Sequence, residues 1–168
     1  MNRWLRILKH RWLDEADARR ALGDGTLKRL QQRVAQSERG HSGEIRICVE
    51  AGLPLSYLWR NATPRERAVT MFGKLRVWDT EHNNGVLIYL LLAEHAIEIV
   101  ADRGLNRHVS AEQWRGLTKG MADAFRRGDY EGGLNAAVDA VSQMLDRHFP
   151  WAGPEANPNE LPDAPVVQ

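Results

Sequence analysis

The spacing of apolar positions changes several times along this chain, and each change predicts an element. In Gly43–Gly52 the side chains alternate. Ile45, Ile47 and Val49 face one way while Glu44, Arg46, Cys48 and Glu50 face the other, which predicts a strand over Glu44–Glu50. Val86–Leu92 is almost wholly apolar, so it predicts a strand covered on both faces. Ala96–Ala101 predicts a third strand, joined to the second by Ala93-Glu94-His95. Elsewhere the spacing is helical. Asp14-Glu15-Ala16-Asp17 opens a helical stretch with carboxylates, Leu27, Leu30 and Val34 continue its stripe, and Arg39-Gly40 stops it. Thr63-Pro64-Arg65-Glu66 is a capped helix start, followed by the stripe Ala68, Met71, Phe72 and Leu75. Ser110–Arg127 and Tyr130–Arg147 read as two more helices, parted at Gly128-Asp129.

This order predicts one α/β domain, a three-layer α/β/α sandwich around a small mixed sheet, over residues 14–148. The first two strands, joined by a helix, are expected to be parallel; the third adds antiparallel to the second. Residues 1–13 stand apart as a basic amphipathic segment. Trp4, Leu8 and Trp12 fall at helical spacing, beside Arg3, Arg6, Lys9 and Arg11 with no acid among them. Its apolar area predicts docking, on the domain itself, a second copy or a partner, with peripheral membrane contact as the alternative. Residues 149–168 are rich in proline and polar groups and read as a disordered tail.

Composition narrows the function classes. The 168 residues are 43% hydrophobic and 27% charged, and the formal net charge of +1 provides no general attraction to nucleic acid. Cys48, the single cysteine, rules out an intrachain disulfide and a cysteine zinc site, and its place in a strand predicts a buried, inert thiol. No long uninterrupted apolar run and no secretory leader are read from the chain, so the expected setting is cytoplasmic, with membrane-peripheral contact through residues 1–13 as an option.

Candidate chemistry gathers at one place. If the second and third strands form a hairpin, the residues before the one and after the other share an end of the sheet. Asp79, Glu81 and Asn84 then meet Asp102, with Arg103 at the margin and Glu44 at the end of the first strand. Oxygen donors gathered in this way suit a hard cation, and an arginine fork suits an anion. The same residues also suit a well-formed turn, since Asn and Gly accept left-handed backbone and Asp caps helices. The catalytic residues are unknown. Thr80 and Ser42 are the nearby hydroxyls and neither is matched with a base that would activate it; GxSxG, P-loop and GxGxxG patterns do not occur. The six histidines are scattered and mostly at element boundaries.

The series His41-Ser42-Gly43-Glu44-Ile45-Arg46, Asp79-Thr80-Glu81 through Asn84-Gly85-Val86-Leu87-Ile88, and Ala101-Asp102-Arg103-Gly104-Leu105 resembles the TPM domain family. That family includes a thylakoid-lumen protein of photosystem II repair, an animal acetylcholine-receptor modulator and many bacterial proteins. The resemblance covers about residues 20–148 and implies an α/β/α sandwich. It also implies ligation of calcium or magnesium by acidic residues at one sheet end, matched here by Asp79 and Asp102 with Glu81 and Asn84 nearby. A plant member has been described as an acid phosphatase. This chain has Trp78-Asp79-Thr80-Glu81 and Ala101-Asp102-Arg103-Gly104 where many members have glycine-rich segments, and it lacks the usual signal peptide and C-terminal membrane helix. The expected function is therefore a non-catalytic ligand- or divalent-ion-binding module acting through a protein partner. The alternative is a divalent-metal-assisted phosphatase.

Overall fold

A computed structural model describes residues 3–153 and 158–168. Among them are eight α-helices: α1 (Arg3–Trp12), α2 (Glu15–Leu22), α3 (Asp24–Ser37), α4 (Leu55–Trp59), α5 (Pro64–Lys74), α6 (Arg103–Asn106), α7 (Ala111–Arg126) and α8 (Tyr130–His148). The strands are β1 (Ile45–Glu50), β2 (Val86–Leu91), β3 (Ala96–Ala101) and β4 (Val166–Val167). They form one mixed sheet in the order β3-β2-β1-β4. β1 and β2 run parallel with Ile45 beside Val86, and β2 pairs antiparallel with β3, Val86 opposite Ala101.

The α/β/α reading holds because the sheet separates two apolar layers. Ile45, Ile47, Val49, Val86, Ile88 and Leu90 pack with residues of α2, α3, α7 and α8. On the other side Cys48, Leu87, Tyr89 and Leu91 pack with Leu58 of α4 and Ala68 and Met71 of α5. Every residue of β1 and β2 is buried, so neither strand has a solvent face. The alternation in β1 thus sorts side chains between two layers, and the thiol of Cys48, fully buried, is pushed up to about 12 by desolvation.

Local chemistry explains the helix ends. Thr63 accepts from the Glu66 amide while the Glu66 carboxylate accepts from the Thr63 amide, a complete capping box with Pro64 at the first helical position. Ser110 with Gln113, and Asp14 with Asp17, repeat the device. The predicted stripe from Asp14 to Arg39 is two helices, because the chain turns at Gly23 with φ 75°.

Two expectations need correction. The tail read as disordered over residues 149–168 is ordered over 149–153 and 158–168, whereas residues 154–157 lie outside the described residues. Val166 and Val167 pair with Cys48 and Val49, and Gln168 exchanges backbone hydrogen bonds with Val49 and Ala51. Leu161 enters the second apolar layer. The segment is too short and proline-rich to fold alone, but the free edge of β1 supplies hydrogen-bond partners and a surface ready for it. Pro165 immediately precedes the pair, a position an edge strand tolerates.

The second correction concerns α1; residues 1–2 of the predicted segment lie outside the described residues. The helix rests on its own domain through Arg6, His10 and Ile7, with Trp4 edge-on to Trp59 and Trp12 left exposed. Arg6 donates to Glu94 (2.7 Å) and to the Ala62 carbonyl (2.7 Å). Buried His10 accepts at Nδ1 from the Leu53 amide (2.9 Å), so its Nε2 carries the proton it gives to Glu94 (2.9 Å). Glu94 collects two donors in a partly desolvated notch, a stronger fastening than loose contact of the apolar side would be.

Candidate functional site at one end of the sheet

The register brings three segments together at the start of β1 and β2 and the end of β3. The Val86 amide donates to Glu44 O (2.8 Å), the Asp102 amide to Gly85 O (2.9 Å) and the Gly104 amide to Asn83 O (2.9 Å). Two glycines make this lacing possible. A Cβ on Gly85 would lie 1.9 Å from the Val77 carbonyl, and one on Gly104 would lie 2.4 Å from that of Asn83. The Asn-Gly and Asp-Arg-Gly motifs therefore mark close backbone approach.

The structure divides the predicted donors into two groups. Asn84 and Asp102 stand at the sheet end with Glu44. Asn84 is fully buried; its backbone amide donates to Thr80 Oγ1 (3.1 Å) and its Nδ2 to Ser42 Oγ (3.1 Å). Asp102 caps α6, Oδ1 accepting from the Arg103 amide (2.6 Å). Glu44 is fully buried, Oε2 accepting from the Leu161 amide (3.1 Å). Asp79 and Glu81 lie on the connection leading into β2 with their side chains toward solvent. The Asp79 carboxylate is 4.0 Å from Arg76, and the Glu81 amide donates to Glu160 (2.9 Å). Arg103 Nε donates to Asn83 Oδ1 (2.9 Å), not to either predicted acid.

What distinguishes this end is a set of buried polar atoms without hydrogen-bond partners among the described residues, the donor Arg46 Nε among them. Glu44 Oε1, Asn84 Oδ1 and Asp102 Oδ2 are each buried with no hydrogen-bond partner among the described residues. Native proteins rarely leave buried acceptors in this state. Burial raises Glu44 to about 7 and its neighbour Glu38, which accepts from the Ile45 amide, to about 9. Two carboxylates and an amide oxygen have the chemistry a hard cation takes. Among the described residues, no group of three or more His, Cys, Asp or Glu side chains is arranged to hold a metal ion. A cleft of about 190 Å³ opens beside this end between Ser42, Glu81, His82, Trp151 and Glu160. The hydroxyls of Ser42 and Thr80 serve Asn84, and neither is bonded to a base among the described residues.

Sequence reading missed two features. Glu160 and Leu161, which close over the cleft and over Glu44, lie in the tail read as disordered. A larger hollow of about 630 Å³ lies where the edge strand β3 meets α5 and α7, lined by Arg65, Glu98, Asn106, Trp114 and Arg115. No local pattern announces it, because those residues come from four separate stretches of chain.

The TPM domain matches residues 16–144, and the chain belongs to that family. Among solved structures, it is similar to the BA42 protein of the psychrophilic bacterium Bizionia argentinensis. The two are 26% identical with a TM-score of 0.73, over 86% of this chain and 94% of that one. The N-terminal domain of a protein from P. gingivalis shares the fold at 20% identity and a TM-score of 0.63, over 79% of this chain and 83% of that domain. No curated protein matches the chain. No helix among the described residues is long and apolar enough to cross a membrane.

Proposed function

We propose that the protein is a non-catalytic TPM module that binds a divalent cation, calcium or magnesium, at the sheet end and acts through a protein partner. The observation that supports this reading is the set of buried acceptors without donors: Glu44 Oε1, Asn84 Oδ1 and Asp102 Oδ2. Water could supply donors to such atoms. A cation suits them better, because two of the three belong to carboxylates, whose charge water offsets poorly in a buried place. Asp102 and Asn84 would hold the ion, with Glu44 supporting it. Asp79 and Glu81, on the adjoining connection, would complete the oxygen set, and Arg103 would border it. Binding would draw Glu44 into its ionised form, so affinity should weaken as pH falls below about 7.

Calorimetric and amide-NMR titration with calcium and magnesium tests this. Wild type should respond at residues 42–44, 79–85 and 101–104, and an Asp79→Ala, Asp102→Ala double variant should not. Equal responses from both would overturn the reading. The alternative is a divalent-assisted phosphatase, in which the ion would polarise the phosphoryl group and ready a water. Turnover of phosphomonoesters that needs magnesium and disappears in the double variant would establish that alternative.

A further inference from the structure

Helix α1 holds to the domain by one side and leaves the other bare. Arg6 and His10 face inward, and Ile7 packs on the second apolar layer. Trp4, Leu5, Leu8 and Trp12 are exposed to 65%, 59%, 55% and 84%. Successive helical residues turn by about 100°, so these four share one arc of about 100°, with Arg11 just beyond one border and Lys9 just beyond the other. Both cations are exposed, and neither has an ion-pair partner among the described residues. The surface continues onto α4. The Trp4 ring stands edge-on to Trp59 at 6.3 Å, and the Arg3 guanidinium lies over Trp59 at 5.1 Å, with Leu55 also exposed.

An apolar arc of this kind normally turns inward. Here the inward side is committed to Glu94 and the Leu53 amide, so the arc is held outward. We propose that this face of α1, with Trp59 and Leu55, docks on an anionic lipid surface. The helix lies flat in the headgroup layer, tryptophans and leucines down, and Arg11 and Lys9 reach lipid phosphates on either side. A second copy is the poorer occupant. Symmetric pairing would bring the bordering cations of two helices together, and α1 contains no carboxylate to offset them.

The test uses the full chain with vesicles of phosphatidylcholine alone and of phosphatidylcholine mixed with phosphatidylglycerol. Wild type should sediment with the anionic vesicles and shift its tryptophan emission to the blue, and should bind the zwitterionic ones weakly. Lys9→Glu with Arg11→Glu should reduce anionic partitioning on the order of tenfold or more. Trp4→Ser with Trp12→Ser should abolish it; Trp12→Ser alone, whose side chain projects into solvent away from the Trp4–Trp59 contact, should weaken it while leaving the melting temperature unchanged. Failure of wild type to bind anionic vesicles, or undiminished binding by the double tryptophan variant, overturns the proposal. So does a concentration-dependent dimer in sedimentation that the tryptophan variant loses, since the second copy would then be the occupant.

Discussion

The two ends of β1 bury similar groups and treat them in opposite ways. At its C-terminal end Glu50 accepts from Arg67 Nε (2.8 Å), from Arg67 Nη2 and from the Tyr89 hydroxyl (2.5 Å). All three side chains are buried, and the Arg67 guanidinium also lies over the Tyr57 ring at 5.0 Å. Burial, then the Glu50 charge, pushes the Tyr89 phenol far up, while the hydrogen bond to Glu50 raises Arg67 further. Both carboxylate oxygens have donors, so nothing remains for a ligand. At the N-terminal end Glu44 Oε1, Asn84 Oδ1 and Asp102 Oδ2 are each buried without a hydrogen-bond partner among the described residues. A buried charge that is fully paired belongs to the architecture. A buried acceptor set that is not paired is where the protein can meet something else.

Breaking the satisfied end should cost most. Arg67→Met strands Glu50 in the interior and is expected to remove about 3–5 kcal/mol of stability in chemical denaturation. Adding Glu50→Leu should restore much of it, because the unpaired charge goes with the substitution. If the single and double variants lose equally, the pair is not the source of the cost.

The backbone lacing at the open end comes next. Gly85→Ala places a methyl against the Val77 carbonyl and is expected to cost about 2–3 kcal/mol. It should also shift the amide resonances of Asp102 and Gly104; an unperturbed spectrum would show that the approach is not as close as described.

Removing the strap over Glu44 is a smaller intervention. A chain ending at residue 157 loses the buried Leu161 and Val167 and the hydrogen bonds to β1, and should be less stable by about 1–2 kcal/mol after ordering costs. It should also bring the Glu44 titration down toward the ordinary carboxylate range, readable by side-chain carboxyl NMR.

The smallest effect sharpens the comparison by pH. The folded state holds protons on Glu44 up to about 7 and on Glu38 up to about 9, against a usual 4.5 for both. The folded chain therefore binds more protons than the unfolded one between these values, and stability should fall as pH rises through that window. Glu44→Gln should flatten the fall below pH 7, leaving the variant more stable than wild type by about 1 kcal/mol at pH 8 and level with it near pH 4. The same substitution should weaken calcium binding, as expected where stability is held below its optimum for function. A variant whose pH profile overlays wild type would show that Glu44 is not the group titrating there.

Most elements could be read from local pattern, because their causes are local. Alternation in Ile45–Glu50, the apolar run of Val86–Leu91 and the boxes at Thr63, Ser110 and Asp14 act within a few residues, and the structure carries each. The meeting of Asn84 with Asp102 followed from the hairpin of β2 and β3, and the parallel pairing of β1 with β2 adds Glu44. Other features depended on partners distant in sequence. Glu160, 79 residues from Glu81, accepts from the Glu81 amide, and no local pattern announces that contact. The order of residues 158–168 required the bare edge of β1; Val166-Val167 favours extended backbone but is too short to announce a strand by itself. The direction in which α1 faces was decided by Glu94, 84 residues from His10, whose carboxylate outweighed the apolar arc that the helical pattern displays. Periodicity says which residues share a side of a helix. Only the folded surface, by offering a charge or an apolar patch, decides which side is buried.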